Sequence, residues 1–391
     1  MSAKTLHIAL PWHSLGHGNL GIDALTRSNM ALLRRAADQA GRSVRFTTLC
    51  SSLAPPADTI PPDATVGPSP NLKPLLKGRS PFLALLRTAD LVVDIGEGDS
   101  WADIYGGKRF AFHAGTKVAA LTLGKPLVLA PQTIGPFNSP FRARVADVIM
   151  KRCRAVYARD NLSMQYLIDH GLRDKADEFI DVAFSLPFDA QPRGANAGRI
   201  AVGLNVSGLL YRGGYTGRNE LGLTIDYVAF THQLIEALLA RGDVDIHLIG
   251  HVVRSGGNDD DGSVIPDLIE RYPALRAGPE FWDASSAKTF MSGLDFVVGG
   301  RMHACIGAFS SGTPVVPIAY SRKFNGLFNT LGYPHFVDGR AVDTETALRQ
   351  TMAAFDDRPR LASDIQAGLK VAHARLDRYV DAMADILAKL P

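Results

Sequence analysis

The stretch Phe296-Val-Val-Gly-Gly-Arg-Met-His-Ala-Cys-Ile-Gly-Ala-Phe-Ser-Ser-Gly-Thr-Pro-Val-Val-Pro-Ile-Ala-Tyr-Ser-Arg-Lys323 decides the fold of this chain. It begins with an apolar run, Phe296 to Val298, which predicts a buried strand. Gly299 and Gly300 follow, and glycine lets the chain turn sharply and lets a ligand approach the backbone. Small residues then predict a helix, and Val315 to Ala319 predicts the next strand. The stretch is therefore a strand-helix-strand unit of a parallel sheet.

Basic side chains follow both of these strands. Arg301 and His303 stand where the helix begins, and Lys323 stands just past the second strand. Ligands of open α/β sheets bind at the carboxyl ends of the strands, and a helix N-terminus attracts anions. The stretch therefore predicts a site for an anionic ligand. A plain packing unit is the alternative interpretation, but packing does not need an arginine and a histidine together at a glycine turn.

The same stretch resembles the hallmark segment of the polysaccharide pyruvyl transferase family. That segment has a strand, Arg-x-His-Ala, a small-residue helix, Gly-x-Pro-Val, a strand that ends in Tyr, and a nearby Lys. The matching residues of this chain are Arg301, His303, Ala304, Gly312, Pro314, Val315, Tyr320 and Lys323. The resemblance extends more weakly across most of the chain.

Length and composition exclude several classes of protein. The chain has 391 residues, 46% of them hydrophobic and 21% charged, which is typical of a globular protein of two domains. A formal net charge of only +3 argues against nucleic acid binding. The three cysteines lie far apart without metal-ligand spacing, so we expect reduced thiols in a cytoplasmic protein. We also expect neither a secretory signal nor a membrane-spanning helix.

A glycine-rich turn separates the first predicted strand from the first predicted helix. The strand is Leu6 to Leu10, and the turn contains Gly18, Asn19 and Gly21, which match the Gly-Asn-x-Gly turn of the family. Such a turn often approaches an anion or a substrate. A tight turn without a ligand fits the sequence equally well. The resemblance nevertheless makes Gly18 and Asn19 candidate substrate-binding residues.

Two more candidate residues lie in the first half of the chain. Gln132 follows the predicted strand at 126–130 and belongs to a Gln-x-Ile-Gly-Pro segment that resembles the family closely. Its side-chain amide could hold a sugar hydroxyl or a carboxylate. His113, on a predicted helix, could face a cleft, although a lone histidine on a helix is more often structural. Glu97 replaces the middle of three glycines found in relatives, which leaves the shape of that loop open.

The second half of the chain begins after a polar, glycine-rich linker at 191–198. A glycine-rich loop that follows the next predicted strand contains Arg212 and Arg218, either of which could contact an anion. Further on, Asp259 starts a run of three aspartates. The run lacks the alternating spacing of a calcium-binding loop, so a solvated loop is the favoured interpretation over a metal site.

Strands alternate with helices in both halves, which predicts an α/β protein of two doubly wound, Rossmann-like domains. We expect the domains at 1–190 and 199–360, facing each other across a cleft as in GT-B glycosyltransferases, an arrangement that the resemblance also implies. Residues 361–391 have apolar positions at helical spacing and predict an amphipathic helix that packs on the body of the protein.

The resemblance implies transfer of pyruvate from phosphoenolpyruvate to a saccharide, as a ketal, in cell-surface polysaccharide synthesis. Phosphoenolpyruvate carries a phosphate and a carboxylate, so Arg301, Lys323 and one of Arg212 or Arg218 could bind it. His303 could move a proton, because imidazole exchanges protons near neutral pH. Tyr320 would line this donor site. We expect the acceptor on the N-terminal domain, and the reaction needs neither a metal nor a cofactor.

Two other functions remain open at this point. A nucleotide-sugar glycosyltransferase would share the fold and the Gly-x-Pro-Val segment, but the paired glutamates of its donor site are missing. A non-catalytic saccharide-binding protein would fit the change at Glu97, yet the basic cluster argues for catalysis. The sequence leaves open a lipid-linked oligosaccharide as the acceptor, a peripheral location at the inner membrane, and assembly as a homo-oligomer.

Overall fold

The computed structural model describes residues 4–48, 55–68, 80–194 and 198–391. The chain divides into two compact units, which differ from the predicted domains at two places. The first unit comprises Met1–His17, Leu25–Ser185 and Ala374–Pro391, and the second comprises Gly18–Ala24 and Leu186–His373. The glycine-rich turn at Gly18–Ala24 therefore belongs to the second unit, and the end of the C-terminal helix belongs to the first.

The first unit contains a seven-stranded parallel sheet in the order β3-β2-β1-β4-β5-β6-β7. Its strands are β1 (Leu6–Leu10), β2 (Val44–Thr48), β3 (Ala64–Val66), β4 (Leu91–Asp94), β5 (Leu127–Gln132), β6 (Ala155–Ala158) and β7 (Ala176–Glu178). Every residue of β1, β4, β5 and β6 is buried, as expected for strands that helices cover on both faces.

Helices connect these strands, and the sequence contains recognisable N-cap residues for three of them. They are α1 (Leu20–Gln39), α2 (Pro81–Thr88), α3 (Gly107–Thr122), α4 (Pro140–Met150) and α5 (Asn161–Asp169). Ser80 and Ser139 cap α2 and α4 ahead of a proline, and Asp160 caps α5 as its position predicts. The first five residues of α1 are counted in the second unit.

The second unit contains a six-stranded parallel sheet in the order β10-β9-β8-β11-β12-β13. Its strands are β8 (Ile200–Asn205), β9 (Val244–Leu248), β10 (Arg276–Ala277), β11 (Phe296–Gly299), β12 (Val315–Ala319) and β13 (Val337–Asp338). Its helices are α6 (Gly208–Tyr211), α7 (Tyr227–Leu239), α8 (Ile265–Arg271), α9 (Ala284–Ser292), α10 (Met302–Ser310), α11 (Arg322–Thr330), α12 (Thr344–Asp356) and most of α13 (Arg358–Ala388). No helix in the described residues is long and apolar enough to cross a membrane.

Both sheets have the strand order of a Rossmann fold, in which the direction of winding reverses once. The reversal lies between β1 and β4 in the first unit and between β8 and β11 in the second. Side chains that follow these strands therefore lie where ligands bind in such folds. The predicted fold class, an α/β protein of two Rossmann-like units, is confirmed.

Two stretches of the first unit fold differently from what their sequence predicts. The run Phe179 to Phe184 predicts a strand, but Val182–Ser185 forms a short 3-10 helix. The carboxylate of Asp181 accepts a hydrogen bond from the backbone N–H of Ala183 at 2.9 Å, and such a local bond favours a turn over a strand. The Pro-rich run 54–74 has no periodicity and predicts a surface loop, but it contains the edge strand β3, whereas Ala54 and residues 69–74 lie outside the described part of the chain.

The C-terminal helix α13 buries the face that its spacing predicts. Its buried apolar positions are Ile365, Leu369, Ala372, Leu376, Tyr379, Met383 and Leu387. Within the first unit, the hydroxyl of Tyr379 donates to the side chain of Asn29 at 2.8 Å, and Arg375 pairs with Glu178 at 2.8 Å. These contacts attach the end of α13 to the sheet of the first unit.

Candidate active site

The second unit gathers polar side chains at the carboxyl edge of its sheet, around the reversal between β8 and β11. Asn205 ends β8, and its side-chain oxygen accepts from the backbone N–H of Arg301 at 3.0 Å. The amide nitrogen of Asn205 donates to the backbone oxygen of Ile249, just after β9, at 2.9 Å. One buried amide therefore fixes the ends of three neighbouring strands and the start of α10.

Arg301 is buried against two aspartates rather than open to a ligand. Its guanidinium donates to Asp261 through Nε at 3.0 Å and Nη2 at 2.7 Å. It also donates to the carboxylate of Asp259 at 2.6 Å and to the backbone oxygen of that residue. These bonds use four of the five N–H groups of the guanidinium. The guanidinium is therefore paired with aspartates in this arrangement, and the expected role of Arg301 in donor binding stays a prediction.

Asp261 is the most heavily bonded carboxylate of this edge. It is fully buried and accepts six hydrogen bonds, from the side chains of Arg301 (two bonds) and Asn205 and from the backbone N–H groups of Gly208, His251 and Val252. The interpretation of the aspartate run as a solvated loop was wrong here, because Asp260 is buried as well. In the part of the chain that the structure describes, no three metal-binding side chains cluster.

The charges of this cluster support one another. Burial alone lowers the pKa of Arg301, but Asp261 and Asp259 more than offset it, and the pKa lies above its usual range. The guanidinium therefore stays charged at every relevant pH. One buried cation faces two carboxylates, so a donor anion gains little net attraction from Arg301 unless one carboxylate moves away.

His303 stands in the first turn of α10, two residues after Arg301 and partly buried. Gly21 lies directly against its imidazole: a Cβ on Gly21 would come within 2.9 Å of His303 Cγ and closer still to Nδ1. Glycine is therefore required at position 21 for the imidazole to keep this position. The glycine of the Gly-Asn-x-Gly turn thus shapes the surroundings of the candidate catalytic histidine.

The segment Gly18–Ala24 lies on the second unit, not on the first as we expected for Gly18 and Asn19. The backbone oxygen of Gly18 accepts from the N–H of Val253 at 2.7 Å, and Asn19 forms an antiparallel bridge with Val252. The side-chain oxygen of Asn19 accepts from the backbone N–H of Gly21 at 2.9 Å. The turn therefore lies along the loop after β9, next to His303.

Two further residues fix this turn. The backbone N–H of Leu20 donates to the oxygen of His251 at 3.0 Å, and buried Asp23 accepts from the N–H of Ala284 at the start of α9 at 2.8 Å. The imidazole of His251 is fully enclosed. Its burial, together with the charges of His303 and Arg301, lowers its pKa to about 3, so His251 is neutral at physiological pH.

The remaining candidates of the second unit lie near the surface. Tyr320 follows β12, is partly buried, and packs against Phe324 with ring centroids 5.1 Å apart. Lys323 lies in the first turn of α11 and is partly buried. Arg212 is exposed and donates to the hydroxyl of Ser263 at 2.9 Å, and Arg218 is exposed. The structure therefore brings Arg301 and His303 together but does not link Arg218 to them.

In the first unit, Gln132 is fully buried at the end of β5. Its amide nitrogen donates to the backbone oxygens of Asp94 at 2.9 Å and Ala130 at 3.2 Å. Its side-chain oxygen has no hydrogen-bond partner among the described residues, and a Cβ on Gly96 would overlap it. Gln132 therefore supports the backbone of the loop after β4. Because its side chain is not exposed, it cannot make the predicted direct contact with a sugar in this arrangement.

His113 is also fully buried in the first unit. Its ring stacks on Trp12 with centroids 3.6 Å apart, and neither ring nitrogen has a hydrogen-bond partner in the described residues. Burial, followed by the charges of Lys117 and Arg109, lowers the pKa of His113 well below its usual range. The neutral ring serves packing, so the expectation of a ligand-facing side chain was wrong here.

The loop after β4 has an unusual backbone conformation. Gly96, Glu97 and Gly98 all have positive φ, with Glu97 at 50°. The Glu97 carboxylate pairs with Arg109, and burial raises its pKa despite that partner. Nearby, Asp94 and Lys117 form a fully buried ion pair at 2.8 Å. Glu97 therefore has a left-handed backbone conformation, which a glycine at this position would adopt without strain.

The sequence predicts a site at the carboxyl edge of the second sheet, but it does not predict several of the residues that form this site. Asn205 ends a predicted strand beside the sheet reversal, and this position was a usable signal. Gly21 was part of the recognised turn, but its contact with His303 joins positions 282 residues apart in the chain (303 − 21). Asp261 gave no signal, because its role rests on bonds to three separate segments of the chain, at Asn205–Gly208, at His251–Val252 and at Arg301.

A family model described as polysaccharide pyruvyl transferase matches residues 19–322, which is more than half of the chain. The chain belongs to this family. The match includes residues 19–21 of the Gly-Asn-x-Gly turn, the aspartate run and the stretch from Arg301 to Tyr320, which are parts that assemble at the edge of the second sheet.

The relatives support the family and the fold. The amylovoran biosynthesis protein AmsJ of Erwinia amylovora is 24% identical over 265 residues, which cover 65% of this chain and 62% of AmsJ. A Listeria monocytogenes protein described as a UDP-N-acetylglucosamine 2-epimerase has a TM-score of 0.62 at 11% identity, over 99% of this chain and 98% of its own. HepE of Anabaena, in complex with UDP and glucose, has a TM-score of 0.57 at 15% identity, over 99% and 100%. These two structures show the GT-B-like fold only.

Proposed function

We propose that this member of the polysaccharide pyruvyl transferase family transfers pyruvate from phosphoenolpyruvate to two hydroxyls of a saccharide, as a ketal, in cell-surface polysaccharide synthesis. The observation that carries the proposal is the position of His303 in the first turn of α10, two residues after Arg301, at the sheet reversal of the second unit and within the matched region. The proposal places the reaction in the cytoplasm, where cysteine thiols stay reduced.

The reaction needs one proton at carbon and two new carbon–oxygen bonds. A proton adds to C3 of phosphoenolpyruvate while one acceptor hydroxyl bonds to C2 and gives up its own proton. The second hydroxyl then bonds to C2 as the bond from C2 to the phosphate oxygen breaks, and its proton leaves with the phosphate. The products are inorganic phosphate and the pyruvate ketal of the saccharide, whose ketal carbon carries a methyl group and a carboxylate. The imidazole of His303 suits the first proton transfer, since it can donate and accept near neutral pH.

The donor carries two anionic groups, and basic residues of the second unit can stabilise them. Lys323, in the first turn of α11 after the neighbouring strand β12, is one candidate, and Arg212 and Arg218 in the segment after β8 are further ones. The positive end of the α10 dipole adds to this attraction. Gly18 and Asn19 shape the wall beside His303, and Tyr320 lies at the end of β12.

The acceptor is proposed to depend on the first unit, through the loop after β4. Gln132 would act by holding that loop, and His113 by packing against Trp12, rather than by touching the sugar. Glu97 on the loop itself and the exposed part of Arg109 on α3 are polar groups that could contact hydroxyls.

Ligand-dependent stabilisation tests the donor. Phosphoenolpyruvate should raise the melting temperature of the full chain, whereas UDP-glucose should leave it unchanged. The opposite result would favour a nucleotide-sugar glycosyltransferase. Release of inorganic phosphate in the presence of saccharides with adjacent free hydroxyls then reports turnover.

His303→Gln tests the chemistry of the site. Glutamine keeps hydrogen-bonding capacity but cannot shuttle a proton, so turnover should fall by about a hundredfold or more while the dissociation constant of phosphoenolpyruvate changes little. The matched control is His373→Gln, on an exposed position of α13. Normal turnover in His303→Gln would remove the acid–base role.

A further inference from the structure

The two aspartates bound to Arg301 differ in how firmly they are held. The side chain of Asp261 is completely buried and accepts six hydrogen bonds. The side chain of Asp259 is 32% exposed, and among the described residues it bonds only to Arg301. Asp261 is therefore a permanent partner of the guanidinium, whereas Asp259 can leave with little rearrangement.

The neighbouring residue shows why the rest of the loop need not move. Asp260 accepts backbone hydrogen bonds from Ser255 at 2.9 Å, Gly256 at 3.2 Å and Gly262 at 2.9 Å. These bonds close the loop on both sides of the aspartate run. A change of rotamer at Asp259 alone would expose the Nη1 face of Arg301 and place the carboxylate in water.

We infer that the carboxylate of Asp259 occupies, on Arg301, the position that an anionic group of the donor takes when it binds. A carboxylate or phosphate oxygen of the donor would replace one carboxylate oxygen by another acceptor of the same charge. The exchange leaves the buried guanidinium paired throughout, which avoids the large cost of an uncompensated buried charge. The inference rests on the proposed function, because it takes the donor to be a small phosphate- or carboxylate-bearing molecule.

This exchange makes Asp259 a competitor of the donor. The affinity of the donor is reduced by the fraction of molecules in which Asp259 occupies Arg301. Removal of its charge should therefore tighten donor binding. A structural role predicts the opposite, since loss of a residue that merely holds Arg301 in place would loosen the site and weaken binding. The sign of the change distinguishes the two.

Asp259→Asn in the full chain is the test, with calorimetric titration of phosphoenolpyruvate and of inorganic phosphate. We expect roughly three- to tenfold tighter binding of both, because a partly exposed ion pair is worth up to about one factor of ten. The KM for phosphoenolpyruvate should fall while kcat is unchanged. Asp267→Asn, which removes an equal charge from an exposed position of α8, should alter neither.

The outcomes separate the inference from the proposed function. Unchanged or weaker binding in Asp259→Asn, with normal turnover of the wild type, would overturn the exchange and leave pyruvyl transfer standing. Tighter phosphate binding in Asp259→Asn without any turnover of phosphoenolpyruvate would support the exchange and overturn pyruvyl transfer. Asp261→Asn should lose binding of both probes, because Arg301 would lose its fixed partner; retained binding would contradict the permanent role of Asp261.

Discussion

At the scale of single residues, a glycine decides where the candidate catalytic imidazole can lie. Gly21 is the second residue of α1, where alanine would otherwise be favourable. A Cβ there would overlap His303, so one of the two residues must shift. Displacement of a catalytic group by about 1 Å can cost about a hundredfold in rate. The sequence motif is thus explained by the ring that it accommodates.

Gly21→Ala should therefore lower kcat by roughly ten- to a hundredfold, since the imidazole moves away from its productive position. Gly326→Ala is the matched control, because this helical glycine in α11 has no atom within 4 Å of the added Cβ. The control should keep its activity and gain up to about 1 kcal/mol of stability from helix propensity. Equal activities of the two variants would show that position 21 does not hold His303. The measurement is steady-state phosphate release beside thermal unfolding.

The residue scale also shows how far sequence reasoning reaches. The position of Arg301 at a strand end followed from the apolar run and the glycine pair before it. Its partners did not, because Asp259 and Asp261 lie 42 and 40 residues away and no periodic pattern connects them. The sequence therefore predicts a cation at the carboxyl edge of the second sheet, but it does not predict that two aspartates bind this cation.

At the scale of elements, buried parallel strands were the most predictable part of the fold. Runs such as Leu6–Leu10 and Val315–Ala319 are apolar throughout, because helices cover both faces of the sheet. The strand that the run 179–184 predicts does not form, because the carboxylate of Asp181 accepts the backbone N–H of Ala183, which a neighbouring strand would otherwise need. The conformation of the loop after β4 could not be predicted at Glu97, because a residue with a side chain rarely adopts the left-handed region.

That loop yields a prediction on stability. Glu97 has φ of 50°, which glycine adopts without strain but which costs a residue with a side chain about 1 kcal/mol. Its ion pair with half-exposed Arg109 is worth at most about 1 kcal/mol. Glu97→Gly removes both terms and should leave stability nearly unchanged. Glu97→Ala loses the pair but keeps the strain, so it should be about 1 kcal/mol less stable than Glu97→Gly in denaturant titrations. Equal stability of the two variants would mean that the left-handed conformation is not strained.

At the scale of the whole molecule, each unit encloses a neutral histidine beneath the carboxyl edge of its sheet. In the first unit, His13 accepts from the amide of Asn29 at 2.9 Å through Nε2 and donates from Nδ1 to the oxygen of Pro11 at 2.9 Å. Burial lowers its pKa to about 4. In the second unit, the pKa of His251 is about 3. Protonation of either ring would place a charge in the interior.

This arrangement predicts a loss of stability in mild acid. The folded-state pKa of each histidine lies below its unfolded value of 6.5, so between pH 6.5 and about 4 the unfolded chain binds more protons. The stabilisation is fully present above pH 6.5 and is lost as the pH falls. From pH 6.5 to 5.0 the free energy of unfolding should fall by about 1.5 kcal/mol for each histidine.

The second unit gives the cleaner test of this dependence. In the first unit the raised pKa values of Asp94 and Glu97 make the carboxylates stabilise the folded chain as the pH falls, which opposes the effect of His13. His251→Gln should flatten the dependence of unfolding on pH over this window by about its own share, as measured by calorimetry at matched ionic strength. An equally steep dependence in the variant would show that His251 is not the group that must take up a proton on unfolding.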